Sequence, residues 1–150
     1  MALSSEENEM LTRVGVGTPA GEMLRRYWHP IGFSSELKER PKRRRVLGED
    51  LVLFRDEKSQ VGLLALRCSH RGTSLEFGHI EDGGLRCCYH GWLYDVEGRV
   101  PEQPGEPHDS TFAVAAFVYR HEKFVGNRLS DSCHLPPRLF FRNNLCGLPS

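Results

Sequence analysis

The hydrophobic and polar positions along the chain predict two short helices at its beginning. Ser4 followed by Glu7 fits a capping box, in which each side chain bonds the backbone N–H of the other residue. Thr18 and Pro19 supply a helix cap followed by proline at the first helical position. The second helix would continue over residues 20–26 and carry three apolar side chains on one face, Met23, Leu24 and Tyr27. We expect this N-terminal arm to pack against the domain that follows.

From residue 44 onward the pattern changes to short β-rich runs separated by turn residues. Asp82, Gly83 and Gly84 form a turn signal between two such runs and predict a hairpin. Strand after strand without an intervening helical segment predicts an antiparallel all-β domain. The predicted strands cover residues 44–48, 51–55, 61–67, 79–80, 85–86, 92–94, 100 and 113–119.

Length and charge limit the classes of function that the chain can have. Its 150 residues allow one domain of ordinary size with extensions. Its 20 Lys and Arg residues balance 20 Asp and Glu residues, whereas a chain built to bind nucleic acid or an anionic membrane carries a basic surplus. The longest apolar run, residues 112–119, is too short to span a bilayer, and the first residues have no secretory pattern. We therefore expect a cytoplasmic protein that binds neither nucleic acid nor a membrane.

The residues that carry chemistry lie between residues 68 and 95. Five cysteines in a chain without a secretory signal argue against a disulfide framework. Cys68 and His70 lie two residues apart after one predicted strand, and Cys87 and His90 lie three residues apart after another. Two loops at the same end of a sheet would bring two thiolates and two imidazoles to one centre.

Two kinds of metal centre accept this set of ligands. A tetrahedral zinc ion binds two cysteines and two histidines, but more commonly with C-x₂-C and H-x₃₋₅-H spacings. A 2Fe–2S cluster of the Rieske type binds two cysteines on one iron and two histidines on the other. Gly72 and Gly91 would allow tight loops around a cluster, because glycine tolerates positive φ. Three apolar side chains would shield such a cluster from water, Leu75, Trp92 and Tyr94.

The two motifs resemble those of a known family. C-x-H-R-G-x-S-L at residues 68–75 and C-x-Y-H-G-W-x-Y-D at residues 87–95 are similar to the Rieske domain of ring-hydroxylating oxygenase α subunits, close to the phthalate-dioxygenase-like group. YWHP at residues 27–30 and LGEDLVLFRD at residues 47–56 are similar to the same group. The resemblance covers roughly residues 11–111 and implies an all-β Rieske fold with a small cluster-binding subdomain.

The resemblance implies a role for each of the four ligands. Cys68 and Cys87 would hold one iron of a 2Fe–2S cluster, and His70 and His90 would hold the other. The histidine-bound iron would lie toward the surface, where the free ring nitrogens face the electron-transfer partner and exchange protons. We therefore expect an electron-transfer domain whose reduction is coupled to proton uptake at high pH.

The chain differs from respiratory Rieske proteins at three positions of the two motifs. Thr73 and Tyr89 stand where those proteins have an additional pair of cysteines joined as a disulfide. Trp92 stands where they have a serine that donates a hydrogen bond to the cluster. Because hydrogen bonds to cluster sulfur raise the reduction potential, we expect a potential of order −150 mV rather than +300 mV.

The remaining cysteines and histidines are interpreted as residues without a role in the cluster. Cys88 is expected to be a small packed side chain, and Cys133 and Cys146 are expected to be free thiols. The histidines interpreted as surface or packing residues are His29, His79, His108, His121 and His134.

Oxygenases of this family continue into a catalytic domain that binds a mononuclear iron through two histidines and a carboxylate, in a D/N-x₂-H-x₄-H pattern. The histidines after residue 90 are 13 residues apart and do not fit that pattern, so we assign no catalytic residue. From about Thr111 the similarity can no longer be followed. We predict an N-terminal arm at residues 1–26, a Rieske domain at residues 27–118 and a divergent, poorly ordered tail at residues 119–150. The chain is interpreted as a truncated or frame-shifted α subunit.

Two alternatives remain open. One is a free-standing Rieske-type ferredoxin that serves a separate oxygenase, and the other is a zinc-stabilised interaction module without redox function. The partners expected from the resemblance are a reductase or ferredoxin electron donor and an oxygenase catalytic component. Residues 76–109 hold eight acids and two bases, which would match a basic reductase surface. We interpret the basic run 42–45 as a solvated surface turn, with the docking of an acidic donor as the alternative.

Overall fold

The computed structural model describes residues 2–27, 29–37, 39–107 and 132–135. Its helices are Ser5–Thr12 (α1) and Pro19–Leu24 (α2), with single 3₁₀ turns at Ser34–Glu36 and Leu75–Phe77. Its strands are His29–Phe33 (β1), Lys42–Val46 (β2), Glu49–Arg55 (β3), Val61–Ala65 (β4), His79–Glu81 (β5), Gly84–Arg86 (β6), Leu93–Tyr94 (β7) and Ser132–Leu135 (β8). All described strand pairs are antiparallel, and the all-β prediction is confirmed.

The two helices begin where the caps in the sequence predict. The backbone N–H of Ser4 donates to the Glu7 carboxylate at 2.8 Å, and the N–H of Glu7 donates to the Ser4 hydroxyl at 3.2 Å, which completes the capping box before α1. The Thr18 hydroxyl accepts from the N–H of Gly21 at 3.2 Å, and Pro19 is the first residue of α2. Both predicted helices are therefore confirmed.

The apolar face predicted for the second helix is wrong. Met23 is 59% exposed and Tyr27 is 58% exposed, whereas Arg25 of the same segment is buried. The Arg25 guanidinium donates to the Leu47 carbonyl at 3.0 Å and to the Glu49 carboxylate at 2.7 Å. The arm is thus attached to the turn between β2 and β3 through a buried arginine. A helix of six residues is too short to present a wide apolar stripe as well.

The central strand β3 has buried side chains on both of its faces. It pairs with β2 on one side and with β4 on the other. Successive side chains of a strand point to opposite faces, so Leu51 and Leu53 belong to one core and Val52 and Phe54 to another. The core that contains Val52 and Phe54 extends to the two predicted cysteine ligands. Its other members are Leu64, Leu66, Cys68, Leu75, Leu85, Cys87, Trp92 and Tyr94.

The strands β5, β6 and β7 form a second three-stranded sheet. Asp82 and Gly83 make the turn between β5 and β6, which confirms the predicted hairpin. In this sheet Leu85 lies opposite Tyr94 and Arg86 lies opposite Leu93. The basic run 42–45 lies in strand β2 rather than in the predicted surface turn.

Two strands of the structure were not predicted from the sequence. β1 precedes residue 44, where the strand pattern was expected to begin, and it pairs with β8. Pro30 and Gly32 disfavour strand structure, and the partner of β1 lies about a hundred residues further along the chain, so local pattern carries no signal for it. Val100 lies outside the strands, although Glu102 forms a single bridge with Leu93. The predicted strand at residues 113–119 lies outside the described residues.

Candidate metal centre

Two loops of the same construction carry the four predicted ligands. The first loop, residues 68–73, follows β4, and the second loop, residues 87–92, follows β6. In the first loop the N–H of Cys68 donates to the Thr73 carbonyl at 2.8 Å, and the N–H of Gly72 donates to the Cys68 carbonyl at 2.8 Å. In the second loop the N–H of Cys87 donates to the Trp92 carbonyl at 2.9 Å, and the N–H of Gly91 donates to the Cys87 carbonyl at 3.1 Å. The repeated bonds give both loops the same tight backbone path around the cysteine.

The glycine near the end of each loop has a left-handed backbone conformation. Gly72 has φ of 72° and Gly91 has φ of 75°, in the region that side chains with a Cβ rarely adopt. This confirms the expectation that both positions need glycine. A larger residue at either position would strain the loop that presents the neighbouring histidine.

The two loops bring the predicted ligands together in pairs. Cys68 and Cys87 are 4% and 3% exposed and belong to the same buried cluster, where the nearby Cys68 thiol helps to raise the pKa of Cys87. The rings of His70 and His90 are partly exposed, with their centroids 4.4 Å apart. In the described part of the chain, no three His, Cys, Asp or Glu side chains gather closely enough to hold one metal ion. The arrangement is therefore a buried thiol pair with an outer imidazole pair.

The hydroxyl group of Tyr94 is the polar neighbour of the thiol pair. It lies 3.1 Å from the sulfur of Cys68 and accepts a hydrogen bond from the N–H of Ser69 at 3.0 Å. Since its oxygen already accepts from Ser69, its own proton is free to be donated to the sulfur. Burial, and then the adjacent Cys68, raise the pKa of Tyr94, so the phenol stays protonated and remains a donor.

Burial raises the pKa of the Cys87 thiol. The backbone N–H groups of Tyr89 and His90 donate toward its sulfur and lower this pKa by a smaller amount. Without a metal this thiol therefore keeps its proton, and metal binding must release it. The loop backbone is already oriented to stabilise the thiolate that a metal requires.

The imidazole of His70 has a ring nitrogen suited to a metal ion. Its ring stacks on Trp92 with centroids 4.7 Å apart and planes inclined by only 6°. Its Nδ1 is buried and has no hydrogen-bond partner. An unsatisfied buried polar atom costs free energy, and a metal ion that accepts the nitrogen lone pair removes this cost. Desolvation, and then the charges of His70 and Arg71, lower the pKa of His90, which favours the neutral ring that metals bind.

The shielding expected from the sequence is confirmed. Leu75, Trp92 and Tyr94 are almost completely buried beside the thiol pair. By contrast, Phe77 and Tyr89 are largely exposed, and the ring of Tyr89 lies 3.8 Å from the ring of His90. The thiol side of the centre is thus dry and the imidazole side borders the surface.

Several of the remaining predictions can be compared with the structure. Cys88 is exposed, so the prediction that it packs inside the domain is wrong, because the loop turns Cys87 inward and its neighbour outward. His79 is exposed as expected, and the half-buried His29 places its Nε2 2.7 Å from the Leu24 carbonyl oxygen. His108, His121 and Cys146 lie outside the described residues. Cys133 and His134 lie in β8, of which only the backbone is described.

The structure adds one residue that the sequence interpretation missed. Arg86, the last residue of β6, donates to Glu81, Glu102 and the carbonyl of Gly91, each at 2.6 Å. The two carboxylates raise the pKa of Arg86 further. The signal in the sequence was a single base directly before Cys87 in an acidic segment. A lone charge of this kind does not reveal its partners before the fold is known.

Comparison with known proteins decides which metal centre this geometry serves. A model of the Rieske [2Fe-2S] domain family matches residues 27–118. The chain belongs to the Rieske [2Fe–2S] domain family. This match selects the iron–sulfur cluster over the zinc ion that the residues alone left open, and it confirms the predicted cofactor, a Rieske-type 2Fe–2S cluster.

The chain is similar in sequence to subunits of oxygenases. It is 58% identical to phenoxybenzoate dioxygenase subunit alpha of Ectopseudomonas oleovorans over 97 residues, which cover 65% of this chain and 24% of that protein. It is 47% identical to the phthalate 4,5-dioxygenase oxygenase subunit of Pseudomonas putida over 108 residues, which cover 70% of this chain and 25% of that protein. The predicted resemblance to ring-hydroxylating oxygenase α subunits is confirmed.

A solved structure agrees with these relatives. The crystal structure of dicamba monooxygenase with non-heme iron and dicamba superposes with a TM-score of 0.59 and 26% sequence identity, covering 75% of this chain and 33% of that one. The Rieske fold is therefore confirmed, and electron transfer through a 2Fe–2S cluster is the function of the domain. The chain spans about a quarter of the length of the curated relatives named above. None of its described helices is long and apolar enough to cross a membrane.

Proposed function

We propose that Cys68 and Cys87 hold one iron of the cluster and that His70 and His90 hold the other. The observation that carries this assignment is the buried Nδ1 of His70, which has no hydrogen-bond partner. The thiols of Cys68 and Cys87 are buried as well. When bound, a Rieske cluster accepts and releases one electron. The domain boundaries 27–118 are proposed with it, since all four residues lie within them.

The residues around the ligands support electron exchange on the imidazole side. Trp92 and Leu75 exclude water from the thiol side, and Tyr94 stabilises negative charge on the Cys68 sulfur through its hydroxyl proton. His70 and His90 are partly exposed and lie beside the exposed ring of Tyr89. A partner that docks against this surface comes nearest to the imidazoles. We propose that electrons enter and leave there.

We further propose that the domain serves a ring-hydroxylating oxygenase in the cytoplasm. Relatives that are 58% and 47% identical are named as dioxygenase subunits, which supports an electron acceptor of the oxygenase type. The electron donor would be a reductase or a ferredoxin. The exposed thiol of Cys88 suits a reducing compartment.

Replacement of neighbouring cysteines tests the ligand assignment. Cys87→Ser removes a thiolate ligand, so the purified chain should lose its iron, its acid-labile sulfide and its visible absorption. Cys88→Ser is the matched control, because Cys88 is the adjacent residue but is exposed, and it should retain all three. His70→Ala should behave like Cys87→Ser. Equal iron content in the Cys87 and Cys88 variants would contradict the assignment.

A further inference from the structure

We propose that Arg86 is a positioning residue for the iron–sulfur centre, in which its guanidinium fixes the Gly91 peptide between ligand His90 and Trp92. The inference rests on the proposed ligand assignment, since it concerns the loop that presents His90. Each nitrogen of the guanidinium has a different partner: Nε bonds Glu81, Nη1 bonds the Gly91 carbonyl and Nη2 bonds Glu102, each at 2.6 Å. Arg86 contacts no ligand atom and therefore acts through the loop backbone.

Carboxylates on either side of strand β6 set the direction of the guanidinium. Glu81 is the last residue of β5, and Glu102 forms a bridge with Leu93 of β7, so the two carboxylates flank β6. The guanidinium is planar, and its donors form a rigid fork. Once two of its nitrogens are held by carboxylates, the third is directed at the second loop. The Arg86 side chain is only 23% exposed, which limits competition from water.

The Gly91 peptide is the part of this loop that most needs an external restraint. Glycine has no Cβ and reaches several backbone conformations at similar cost, so its peptide group can reorient easily. The loop itself holds the N–H of Gly91 through the Cys87 carbonyl, whereas the carbonyl of Gly91 is held by Arg86. Because a peptide group is planar, fixing this carbonyl also fixes the N–H of Trp92. The ring of Trp92 stacks on His70, so one arginine restrains the surroundings of both imidazoles.

Three variants separate positioning from charge. Arg86→Lys keeps the positive charge but replaces the rigid fork with a single rotatable ammonium group. Arg86→Gln removes both the charge and the fork. Arg99→Gln is the matched control, since the Arg99 side chain pairs with Asp95 at 2.6 Å and with Glu97 at 3.3 Å, and neither residue belongs to the two ligand loops. It therefore removes an equal charge from the acidic segment without touching the Gly91 peptide.

The test is the electron paramagnetic resonance spectrum of the reduced full-length chain, together with its iron content. We expect both Arg86 variants to retain iron, since the thiol ligands are intact, and to give a broadened or split signal because the loop adopts more than one orientation. Arg99→Gln should give the wild-type line shape. A wild-type line shape in both Arg86 variants would overturn the inference, and broadening in Arg86→Gln alone would assign the effect to charge and overturn it too.

A second variant keeps the test decisive if the Arg86 variants lose iron. Glu102→Ala removes one of the two carboxylates that direct the guanidinium, so Arg86 keeps its bond to Glu81 but no longer holds the Gly91 carbonyl in one orientation. Its signal should be broadened, and a wild-type signal would overturn the inference. Failure of the ligand assignment is recognised separately, because the wild-type chain would then show no signal of a histidine-ligated cluster.

Discussion

The hydroxyl group of Tyr94 connects the sulfur of Cys68 to the backbone of Ser69. The hydroxyl lies 3.1 Å from the sulfur and accepts from the N–H at 3.0 Å, and it would be the donor to a metal-bound thiolate, which carries no proton. A proton donated to ligand sulfur stabilises the more negative, reduced state of a cluster. We therefore expect the reduction potential of the cluster to depend on this phenolic proton.

Tyr94→Phe should lower the reduction potential of the cluster. The substitution keeps the buried ring and removes only the hydroxyl group. A hydrogen bond worth about 1 kcal/mol corresponds to roughly 40 mV for a one-electron couple. Redox titration followed by visible absorption measures the shift, and Tyr27→Phe, at an exposed tyrosine directly after the N-terminal arm, should leave the potential unchanged. An unchanged or higher potential in Tyr94→Phe would show that the phenol does not donate to the sulfur.

The spacing of the ligand residues was sufficient to find the candidate site. One C-x-H and one C-x₂-H, each after a strand, place two thiols and two imidazoles together, as the structure shows. The difference between Cys87 and Cys88 could not be predicted in the same way. The two residues are chemically identical neighbours, and only the path of the loop after β6 decides which of them faces inward.

At the scale of elements, the N-terminal arm depends on a single buried arginine. Arg25 donates to the carbonyls of Val14 and Leu47 and forms an ion pair with Glu49 at 2.7 Å. These bonds connect α2 to the turn between β2 and β3, next to the central strand of the molecule. Met23 of α2 and Tyr27 after it, which were expected to pack, are largely exposed instead.

Arg25→Gln should lower the free energy of unfolding by about 3 kcal/mol, because it removes a buried ion pair together with two hydrogen bonds to carbonyls. Arg26→Gln changes the adjacent, exposed arginine and should alter the free energy by less than about 0.5 kcal/mol. Urea denaturation monitored by tryptophan fluorescence measures both values. Equal stability of the two variants would contradict the anchoring role of Arg25.

The elements differ in how far local sequence determines them. Helix caps act within three or four residues, so Ser4 and Thr18 predicted both helix starts correctly. The apolar run of β3 and the turn of the β5–β6 hairpin are local signals as well. β1 forms through its pairing with β8 and contains Pro30 and Gly32, so its strand structure depends on long-range contact.

At the scale of the whole molecule, the charges that look segregated in the sequence are largely paired in the fold. Arg43 and Arg45 of β2 both bind Asp50, at 3.1 and 2.6 Å. In the acidic segment, Glu81 is engaged by Arg86, and Asp82 lies 3.1 Å from Lys58 across an exposed pair. An exposed pair of this kind adds little stability and leaves its charges available to a docking partner.

Charge reversal at the acidic segment tests whether it contributes to docking. Glu76→Lys combined with Asp82→Lys should slow reduction by a reductase with a basic surface roughly tenfold at low salt, because electrostatic steering is lost. The difference should vanish at high salt, where charges are screened. Stopped-flow absorption gives the rates, and Glu6→Lys in α1 is the control. We leave Glu81 unchanged because it holds Arg86. Rates independent of these substitutions at every ionic strength would remove the acidic segment from the docking surface.

In the proposed centre, two cysteines bind one iron of the 2Fe–2S cluster and two histidines bind the other. Pulsed electron paramagnetic resonance of the reduced chain, prepared with ordinary and with nitrogen-15-labelled histidine, tests it most directly. We expect hyperfine coupling to two histidine nitrogens that changes with the label. In His70→Ala both couplings should disappear together with the signal of the cluster. A reduced spectrum without nitrogen coupling would rule out histidine ligands, and a purified chain that contains zinc in place of iron would rule out the cluster.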